Sequence, residues 1–343
     1  MLALRKLAPQ PGVALVDVAP PPPPGAGEVQ LAVAATGICG SDLHIVHWSS
    51  AYHHLRPCLP LTLGHEFSAR IRAAGPGTAL QAGQRVVVRP AVACGVCESC
   101  RAGDPDGCRS RKGIGVMRDG GFAPVVNVPA VNCHVLPDML DDRVAALAEP
   151  LAICANALAT AGMAPGMRVL ILGPGTIGQG LALLARHAGA AAIAVAGHDD
   201  GPRLRLLQEL GFAHCFDLAD EGAASRLGTL AGDGFDVVFE ASGADVAVQQ
   251  GLDLLRSAGI LVAVGIHGRP ASFDATRLVR RRLQIRGTFS APERFWPGVL
   301  EALTDAPDMF GRLISHVLPL RDVAAAIALA ERRIASKILL IPA

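Results

Sequence analysis

The segment RVLILGPGTIGQGLALLARHAG constrains the fold of this 343-residue chain more than any other stretch. It combines an apolar strand, a turn with the spacing G-x-G-x-x-G and a helix, which is the order of a βαβ unit. Glycines at these positions permit a tight turn, close approach of the backbone to a pyrophosphate and close packing of helix on strand. A generic strand-to-helix turn is the less favoured alternative. We therefore predict a dinucleotide site bordered by Gly173, Gly175, Thr176, Ile177 and Gly178.

The rest of the chain predicts an α/β protein with two different halves. Strand-like runs recur after the glycine turn at AAIAVAG, FDVVFEASG, GILVAVGIHG and LQIRGTFS, separated by stretches of helical length. Such alternation is typical of a doubly wound parallel sheet covered on both faces. Before Asp141 the sequence is different, with short alternating runs such as EVQLAVAATG and QRVVVRP between many turns. We expect this first part to be mainly β-structure.

The end of the second strand of the parallel sheet predicts where the cofactor ribose binds. Asp199 lies about 20 residues beyond the glycine turn, where a carboxylate can bind the adenosine ribose. The register leaves Gly197 or His198 as alternatives at that position, and Arg203 or Arg205 could instead bind a 2′-phosphate. We predict NAD as the cofactor, with NADP possible.

Four clustered thiols predict a structural metal site in CGVCESCRAGDPDGC. Two residues separate each of the first three cysteines, so a tight loop can direct its thiolates to one point and a fourth can complete a tetrahedral zinc site. The chain has nine cysteines, an odd number, and MLALRKLAPQ has no features of a secretion signal. A reducing compartment makes a chance disulfide the weaker alternative. The predicted ligands are Cys94, Cys97, Cys100 and Cys108.

A second set of side chains has the chemistry of a catalytic zinc site. Cys39, His65, Glu66 and Glu149 offer a soft thiolate, an imidazole and two hard carboxylates, which suit a zinc ion that keeps one position for water or substrate. Taken singly, Cys39, His65 and Glu149 are each more often structural. The sequence motifs GICGSDLH, LGHEF and LAEPLA contain them.

Charge and composition exclude other classes of protein. Lysine and arginine number 31 against 30 acidic residues, a balance that disfavours nucleic acid and anionic membranes as partners. A zinc-ribbon nucleic-acid binder would share the cysteine loop but has no use for the glycine turn. A non-catalytic dinucleotide-binding protein, structural or regulatory, would not need the second metal set. We expect a cytoplasmic enzyme that acts on a small molecule, with no membrane or nucleic-acid partner.

GICGSDLH, LGHEF, the cysteine loop, AEPLA and GPGTIG follow one another in the order seen in zinc-dependent medium-chain dehydrogenases, which the whole chain resembles. CGSDLHIVHW and LPLTLGHEF are most similar to threonine 3-dehydrogenases, and AEPLA to sorbitol and other polyol dehydrogenases. The resemblance implies a GroES-like β domain over residues 1–150, completed by 286–343, and a Rossmann domain over 151–285. It also implies two zinc ions per chain and a homo-oligomer, either a dimer or a tetramer.

The resemblance also assigns roles to residues. It implies Cys39 and His65 as zinc ligands, with Glu66 and Glu149 taking the remaining positions, and Asp42 orienting an imidazole ligand. Ser41 and His44 would relay the proton of the substrate. The residues implied to border the dinucleotide are Gly243, Gly265 and Ser290.

One departure from the threonine enzymes bears on the substrate. IVHWSSAYHH replaces their characteristic tyrosine and acidic residues beside the tryptophan, so we expect another secondary alcohol: a polyol, sugar, aminocyclitol or amino alcohol. A threonine 3-dehydrogenase activity is the alternative. Side chains that could shape the pocket are His47, Trp48, Tyr52, His53 and His54, although a solvated loop is an equally good interpretation for His53 and His54.

Overall fold

The computed structural model describes residues 1–342, which form two compact units. The first contains Met1–Glu149, Pro292–Glu331 and the segment from Lys337 onward. The second contains Pro150–Ala291 and Arg332–Ser336.

The N-terminal part of the first unit is built from ten strands. The run EVQLAVAATG forms the longest, and its burial alternates along the strand, as its sequence predicts. In chain order the strands are β1 (Leu2–Lys6), β2 (Ala14–Asp17), β3 (Glu28–Gly37), β4 (Leu61–Thr62), β5 (Glu66–Ala74), β6 (Arg85–Val88), β7 (Ala91–Val92), β8 (Lys112–Gly113), β9 (Val125–Pro129) and β10 (Cys133–Val135).

Short helices connect these strands. The α-helices are α1 (Gly40–Val46), α2 (Glu98–Arg101) and α3 (Asp142–Ala145), and 3₁₀ helices cover Ser50–Cys58, Pro105–Gly107 and Ala130–Asn132. The side chain of Asp42 fixes the start of α1, because its carboxylate accepts a hydrogen bond of 2.9 Å from the backbone N–H of Cys39. This is an N-terminal capping arrangement that satisfies an otherwise unpaired amide.

The second unit contains the predicted parallel sheet. Its strands follow the spatial order β13-β12-β11-β14-β15-β16, all parallel, which confirms the doubly wound fold. The edge strand β13 was not predicted, because HCFD is short and only half-buried. The strands are β11 (Arg168–Leu172), β12 (Ala192–Gly197), β13 (His214–Asp217), β14 (Phe235–Glu240), β15 (Leu255–Ala263) and β16 (Gln284–Gly287).

Helices alternate with these strands. They are α4 (Ala148–Ala161), α5 (Thr176–His187), α6 (Gly201–Glu209), α7 (Ala223–Ala231), α8 (Asp245–Leu254) and α9 (Ala275–Arg280). An apolar core between sheet and helices includes Leu170, Phe235, Val238 and Leu261, all fully buried.

The last part of the chain returns to the first unit. The helices α10 (Trp296–Asp305), α11 (Pro307–Gly311) and α12 (Val323–Glu331), with 3₁₀ turns at Glu293–Phe295 and Leu320–Asp322, surround the strands β17 (Ile314–Pro319) and β18 (Lys337–Ile341). Strand β18 pairs antiparallel with β3, with Leu339 opposite Gly37. The resulting seven-stranded sheet has the order β10-β6-β5-β3-β18-β17, with β9 also paired to β3.

None of the helices in residues 1–342 has both the length and the apolar character needed to cross a membrane.

Candidate metal centres and dinucleotide site

The four cysteines predicted to bind a structural zinc ion lie close together, within α2 and on either side of it. The sulfur atoms of Cys94, Cys97, Cys100 and Cys108 are all within 4.8 Å of one another, and each of these cysteines is a free thiol. Cys97 and Cys100 approach to 3.5 Å between their sulfurs. Four sulfurs at this separation can bind one tetrahedral ion and leave no position open, which fits a structural zinc site.

The backbone of the loop favours the thiolate form of Cys94. The amide N–H groups of Val96 and then Cys97 lower the pKa of Cys94 to about 6. The amide N–H of Cys94 in turn donates to the sulfur of Cys108 at 3.3 Å. Thiolates are the form that binds metal, so the loop fits a cation chemically as well as by distance.

A second cluster lies where α1 and β5 begin. The ligand atoms of Cys39, His65 and Glu66 are within 4.8 Å of one another. Cys39 precedes α1, and Glu66 opens β5 directly after His65. Because Gly37 pairs with Glu66 across the sheet, the ladder between β3 and β5 holds the three donors at one end of the sheet.

The surroundings of His65 fit a metal-binding imidazole. Its Nδ1 faces Oδ1 of Asp42 at 3.6 Å, and both atoms are buried without a hydrogen-bond partner in the described structure. Its Nε2 lies 3.4 Å from the hydroxyl of Ser41. Ligand imidazoles commonly face a carboxylate with the nitrogen that does not bind the metal. The donors present therefore fit zinc, and Asp42 is placed to orient the ring.

Glu149 lies near this cluster without joining its three converging donors. It is in the first turn of α4 and is 8 % exposed. Burial, opposed by His65 and reinforced by the neighbouring Glu66, raises the pKa of Glu149 to about 7. A cation near a carboxyl group in this position would strongly favour its ionised form. Glu149 as a zinc ligand stays a prediction.

Lys337, which sequence analysis did not identify, contacts the same cluster. Its side chain is 2 % exposed, and its Nζ donates to Oε2 of Glu66 at 2.5 Å and to the carbonyl of Ile38 at 3.0 Å. The register of β18 against β3 brings this lysine beside a glutamate 271 positions away. No local pattern could have signalled the pair.

Tyr52 packs on His44, one of the two residues of the predicted proton relay. Its ring stacks on that of His44, with centroids 6.0 Å apart. Within residues 1–342 we find no direct hydrogen bond between Ser41 and His44. Burial, and then Cys39, raises the pKa of Tyr52 to about 12. The relay from Ser41 to His44 stays a prediction, and the buried Tyr52 is a further hydroxyl-bearing residue packed on His44.

The remaining predicted pocket residues differ in exposure. Trp48 is half-buried with a φ of 54°, and its ring receives the ammonium of Lys6 at 5.2 Å. His53 and His54 are exposed, while His47 forms an ion pair of 2.9 Å with Glu331.

The glycine turn of the second unit has the geometry that its sequence predicts. Gly173 has a φ of 105°, and a Cβ there would lie 2.8 Å from the amide of Ser242. A Cβ on Gly178 would lie 1.8 Å from the carbonyl oxygen of Gly173. Gly175 precedes α5 with open space around it, so the first turn of the helix can receive a phosphate.

The two residues between Gly175 and Gly178 form hydrogen bonds within the second unit. The hydroxyl of Thr176 donates to the carbonyl of Ser336 at 3.0 Å. The carbonyl of Ile177 accepts from the thiol of Cys154 at 3.3 Å.

The carboxylates after β12 form a connected group. The amides of Asp199 and Asp200 donate to Asp217, at 2.9 and 3.0 Å. Asp199 is exposed with a φ of 54°, whereas Asp200 is buried. Arg203 is occupied, because its guanidinium donates to Asp200 at 3.2 Å and to the carbonyl of Ala335 at 2.7 Å. The organising residue Asp217 was not predicted, since it belongs to the edge strand β13.

The loops after β14 and β15 meet. A Cβ on Gly265 would lie 2.4 Å from the amide of Gly243, so both positions require close backbone approach. The fully buried Glu240 accepts from the amide of Gly243 at 2.9 Å and from His267 at 3.0 Å. Further along, the carbonyl of Ser290 accepts from Asn156 at 2.8 Å.

Two family models match this chain. One, described as "Alcohol dehydrogenase GroES-like domain", matches residues 25–138, and the other, described as "Zinc-binding dehydrogenase", matches residues 176–305. A sorbitol dehydrogenase of Halalkalibacterium halodurans is 34 % identical over 100 % of this chain and 99 % of its own length. An L-threonine 3-dehydrogenase of Coxiella burnetii is 33 % identical over 94 % of each chain.

Solved structures of dehydrogenases are also similar to this chain over nearly its whole length. An alcohol dehydrogenase of Escherichia coli CFT073 in complex with NADH superposes with a TM-score of 0.86 and 27 % identity, over 99 % of both chains. A zinc-binding dehydrogenase of Sinorhizobium meliloti 1021 bound to NADP gives 0.85 and 30 %, also over 99 % of both chains. The predicted combination of a GroES-like domain with a Rossmann domain is thereby confirmed.

Proposed function

The chain belongs to the zinc-dependent medium-chain dehydrogenase family, and we propose that it oxidises a secondary hydroxyl group on a small substrate with a second oxygen or nitrogen nearby. It is an oxidoreductase of the zinc-dependent alcohol and polyol dehydrogenase class, with zinc and a nicotinamide dinucleotide as cofactors. The observation that carries the proposed substrate class is the pair of buried carboxylates, Glu66 and Glu149, beside Cys39 and His65.

Specific residues would hold these cofactors. Cys39, His65 and Glu66, with Glu149 close by, would bind the catalytic zinc, and the four-cysteine loop a second ion. When bound, zinc polarises a hydroxyl group and lowers its pKa, and the nicotinamide takes the hydride. The glycine turn before α5 would receive the pyrophosphate.

The side chains of this protein would handle the proton that the oxidation releases. Asp42 fixes the ring of His65, so that Ser41 lies on the Nε2 side of the imidazole. The hydroxyl of Ser41 would accept the proton of the substrate while passing its own to the phenol of Tyr52, which would release its phenolic proton toward His44. His44, stacked on Tyr52, is the next titratable group toward solvent. Its pKa is lowered by burial and then by His47, so the neutral ring that can accept a proton is favoured.

The carboxylates favour substrates that can chelate. A site rich in oxygen donors is harder than one with two thiolates, and it admits an additional oxygen or nitrogen ligand. A vicinal diol or amino alcohol provides such a second donor, whereas a simple primary alcohol does not. We therefore expect a preference for vicinal diols and amino alcohols over ethanol or other simple primary alcohols.

Replacing Glu149 by cysteine tests this preference, because it changes the softness of one donor and removes one carboxylate. In the unmodified enzyme, kcat/KM for the best vicinal diol or amino alcohol should exceed that for ethanol by at least about 100-fold. In Glu149→Cys that ratio should fall by roughly tenfold or more. Steady-state kinetics on a panel of polyols, sugars, amino alcohols, L-threonine and primary alcohols gives the ratio.

Glu301→Cys is a suitable control, since Glu301 is exposed in α10 and belongs neither to the pair of Glu66 and Glu149 nor to a metal cluster. It should leave the ratio unchanged. If ethanol were the best substrate of the unmodified enzyme, the proposed substrate class would be wrong.

We also propose NAD as the preferred cofactor. Asp199 and Asp200 would repel a 2′-phosphate near the end of β12, and Arg203 is held by Asp200 and the carbonyl of Ala335. The expected ratio of kcat/KM for NAD over NADP is at least about tenfold. Arg203→Gln and Arg205→Gln should each change this ratio less than about threefold. A preference for NADP that either variant abolishes would contradict the assignment.

Cytoplasmic residence and a homo-oligomeric assembly are further parts of the proposal. The nine free cysteines suit a reducing compartment. For an oligomer, the support is apolar exposure in the second unit, where Val279 and Phe289 are 70 % and 76 % exposed near the edge strand β16.

A further inference from the structure

Lys337 is a fully buried lysine whose charge is directed at the candidate catalytic centre. Lys337 as a whole residue is 1 % exposed, and its ion-pair partner Glu66 is also 1 % exposed. Removing a cation from water is unfavourable by several kcal/mol unless a charged partner and hydrogen bonds compensate. Here both are present, because Glu66 supplies the charge and the carbonyl of Ile38 a second acceptor.

The glycine at position 37 leaves space for the side chains of Lys337 and Glu66. A Cβ on Gly37 would lie 2.2 Å from Oε2 of Glu66 and 3.3 Å from Cδ of Lys337, so a larger residue at this point of β3 would displace both side chains. The carbonyl that accepts from Lys337 belongs to Ile38, the residue directly before Cys39. Lys337 therefore contacts the backbone next to one predicted zinc ligand and the side chain of another.

A second buried lysine provides a contrast. Lys6 is 0 % exposed, but its Nζ donates only to backbone carbonyls, those of Gln10, Gly12 and Val46. Apart from the contact with the ring of Trp48, its contacts close a loop, and none involves a predicted zinc ligand. A lysine can thus be buried in this protein without a charged partner. Lys337 differs, because it pairs with a predicted zinc ligand.

We infer that Lys337 is a positioning residue, which holds one oxygen of Glu66 away from the catalytic zinc and so keeps a coordination position for the substrate. The inference rests on the zinc site described under the proposed function. Oε2 of Glu66 accepts from the ammonium of Lys337, so the lysine competes with the metal for this carboxylate oxygen. The positive charge also makes the site less attractive to a divalent cation, since like charges repel more strongly in a desolvated environment.

Lys337→Met tests this role, because methionine has a similar length and no charge. In the fully zinc-loaded protein, transfer of the catalytic zinc to a coloured chelator should be at least about fivefold slower than in the unmodified protein. In Co²⁺-substituted protein, the visible absorption bands should shift, since Glu66 becomes available as a full ligand. The value of kcat/KM should fall by about tenfold, mainly through a higher KM, because Glu66 would compete with the substrate for its coordination position. Zinc transfer and Co²⁺ absorption need no substrate, so they remain informative if the substrate class is wrong.

Two further variants separate positioning from support of the fold. Lys6→Met removes an equally buried lysine and should leave zinc transfer and the Co²⁺ spectrum unchanged. In a Glu66→Gln background, Lys337→Met should slow zinc transfer much less, since the carboxylate it would release is absent and only the loss of the positive charge remains. Lys337→Gln, which retains a donor, should show a smaller slowing in the same direction and replaces Lys337→Met if that protein does not fold. Faster or unchanged zinc transfer in the Lys337 variants, or slowing that is equally large with Glu66→Gln, would overturn the inference.

Discussion

Cys39→Ala is expected to lower kcat/KM by at least about 10⁴-fold while the protein remains folded. Cys39 supplies the thiolate among the three converging donors, and it is half-buried at the start of α1. Without it, His65 and Glu66 are left with neighbouring carboxyl groups and no soft ligand, so the catalytic zinc should be lost. The amide of Cys39, which Asp42 caps, is present in alanine as well, so α1 should still form.

Three measurements check this expectation. Metal analysis should give two zinc ions in the unmodified chain and one in Cys39→Ala, the melting temperature should change by less than about 5 °C, and turnover should be absent. Cys58→Ala is the matched control, because Cys58 is also half-buried in the same unit but belongs to neither metal cluster. It should retain both ions and activity. Two zinc ions and normal turnover in Cys39→Ala would mean that this cluster is not the catalytic centre.

The parts of the fold that local sequence patterns encode could be predicted. The alternation of apolar and other residues in EVQLAVAATG identified β3, and the glycine turn between an apolar run and a helix identified the entry to the parallel sheet. Strand β13 could not be recognised in this way, because four half-buried residues carry no clear period. Its residue Asp217 organises the loop after β12, so the prediction of ribose contacts lacked one of its main determinants.

Contacts between distant parts of the chain were the least predictable. The pair of Lys337 and Glu66 depends on the register in which β18 lies against β3, which no spacing in the sequence reveals. The same applies to Arg203, which sequence analysis considered free to bind a phosphate and which is held by Ala335. Both cases involve long charged side chains, whose partners are decided by tertiary structure. Ligand types such as cysteine and histidine are easier to recognise because few other roles require them together.

The loop of four cysteines leads to the second large effect. Cys100→Ala is expected to remove one zinc ion and to lower the melting temperature by roughly 10 °C. Residues 94–108 contain only a four-residue α-helix and one 3₁₀ turn, and of the four cysteines only Cys108 is buried. Such a loop cannot hold its conformation by apolar packing, so metal binding should provide much of its stability.

The effect should be on structure rather than on chemistry, which distinguishes it from that of Cys39→Ala. Zinc content should fall to one ion per chain, the loop should become sensitive to limited proteolysis, and kcat per folded molecule should stay within about threefold of the unmodified value. Glu98→Ala, in the same short helix, is the control and should retain both ions, because an exposed glutamate in α2 contributes no ligand. A Cys100→Ala protein with an unchanged melting temperature and an intact loop would show that the fold of residues 94–108 does not depend on a metal. In that case the four thiols would need another explanation, since their sulfurs converge within 4.8 Å without forming a disulfide.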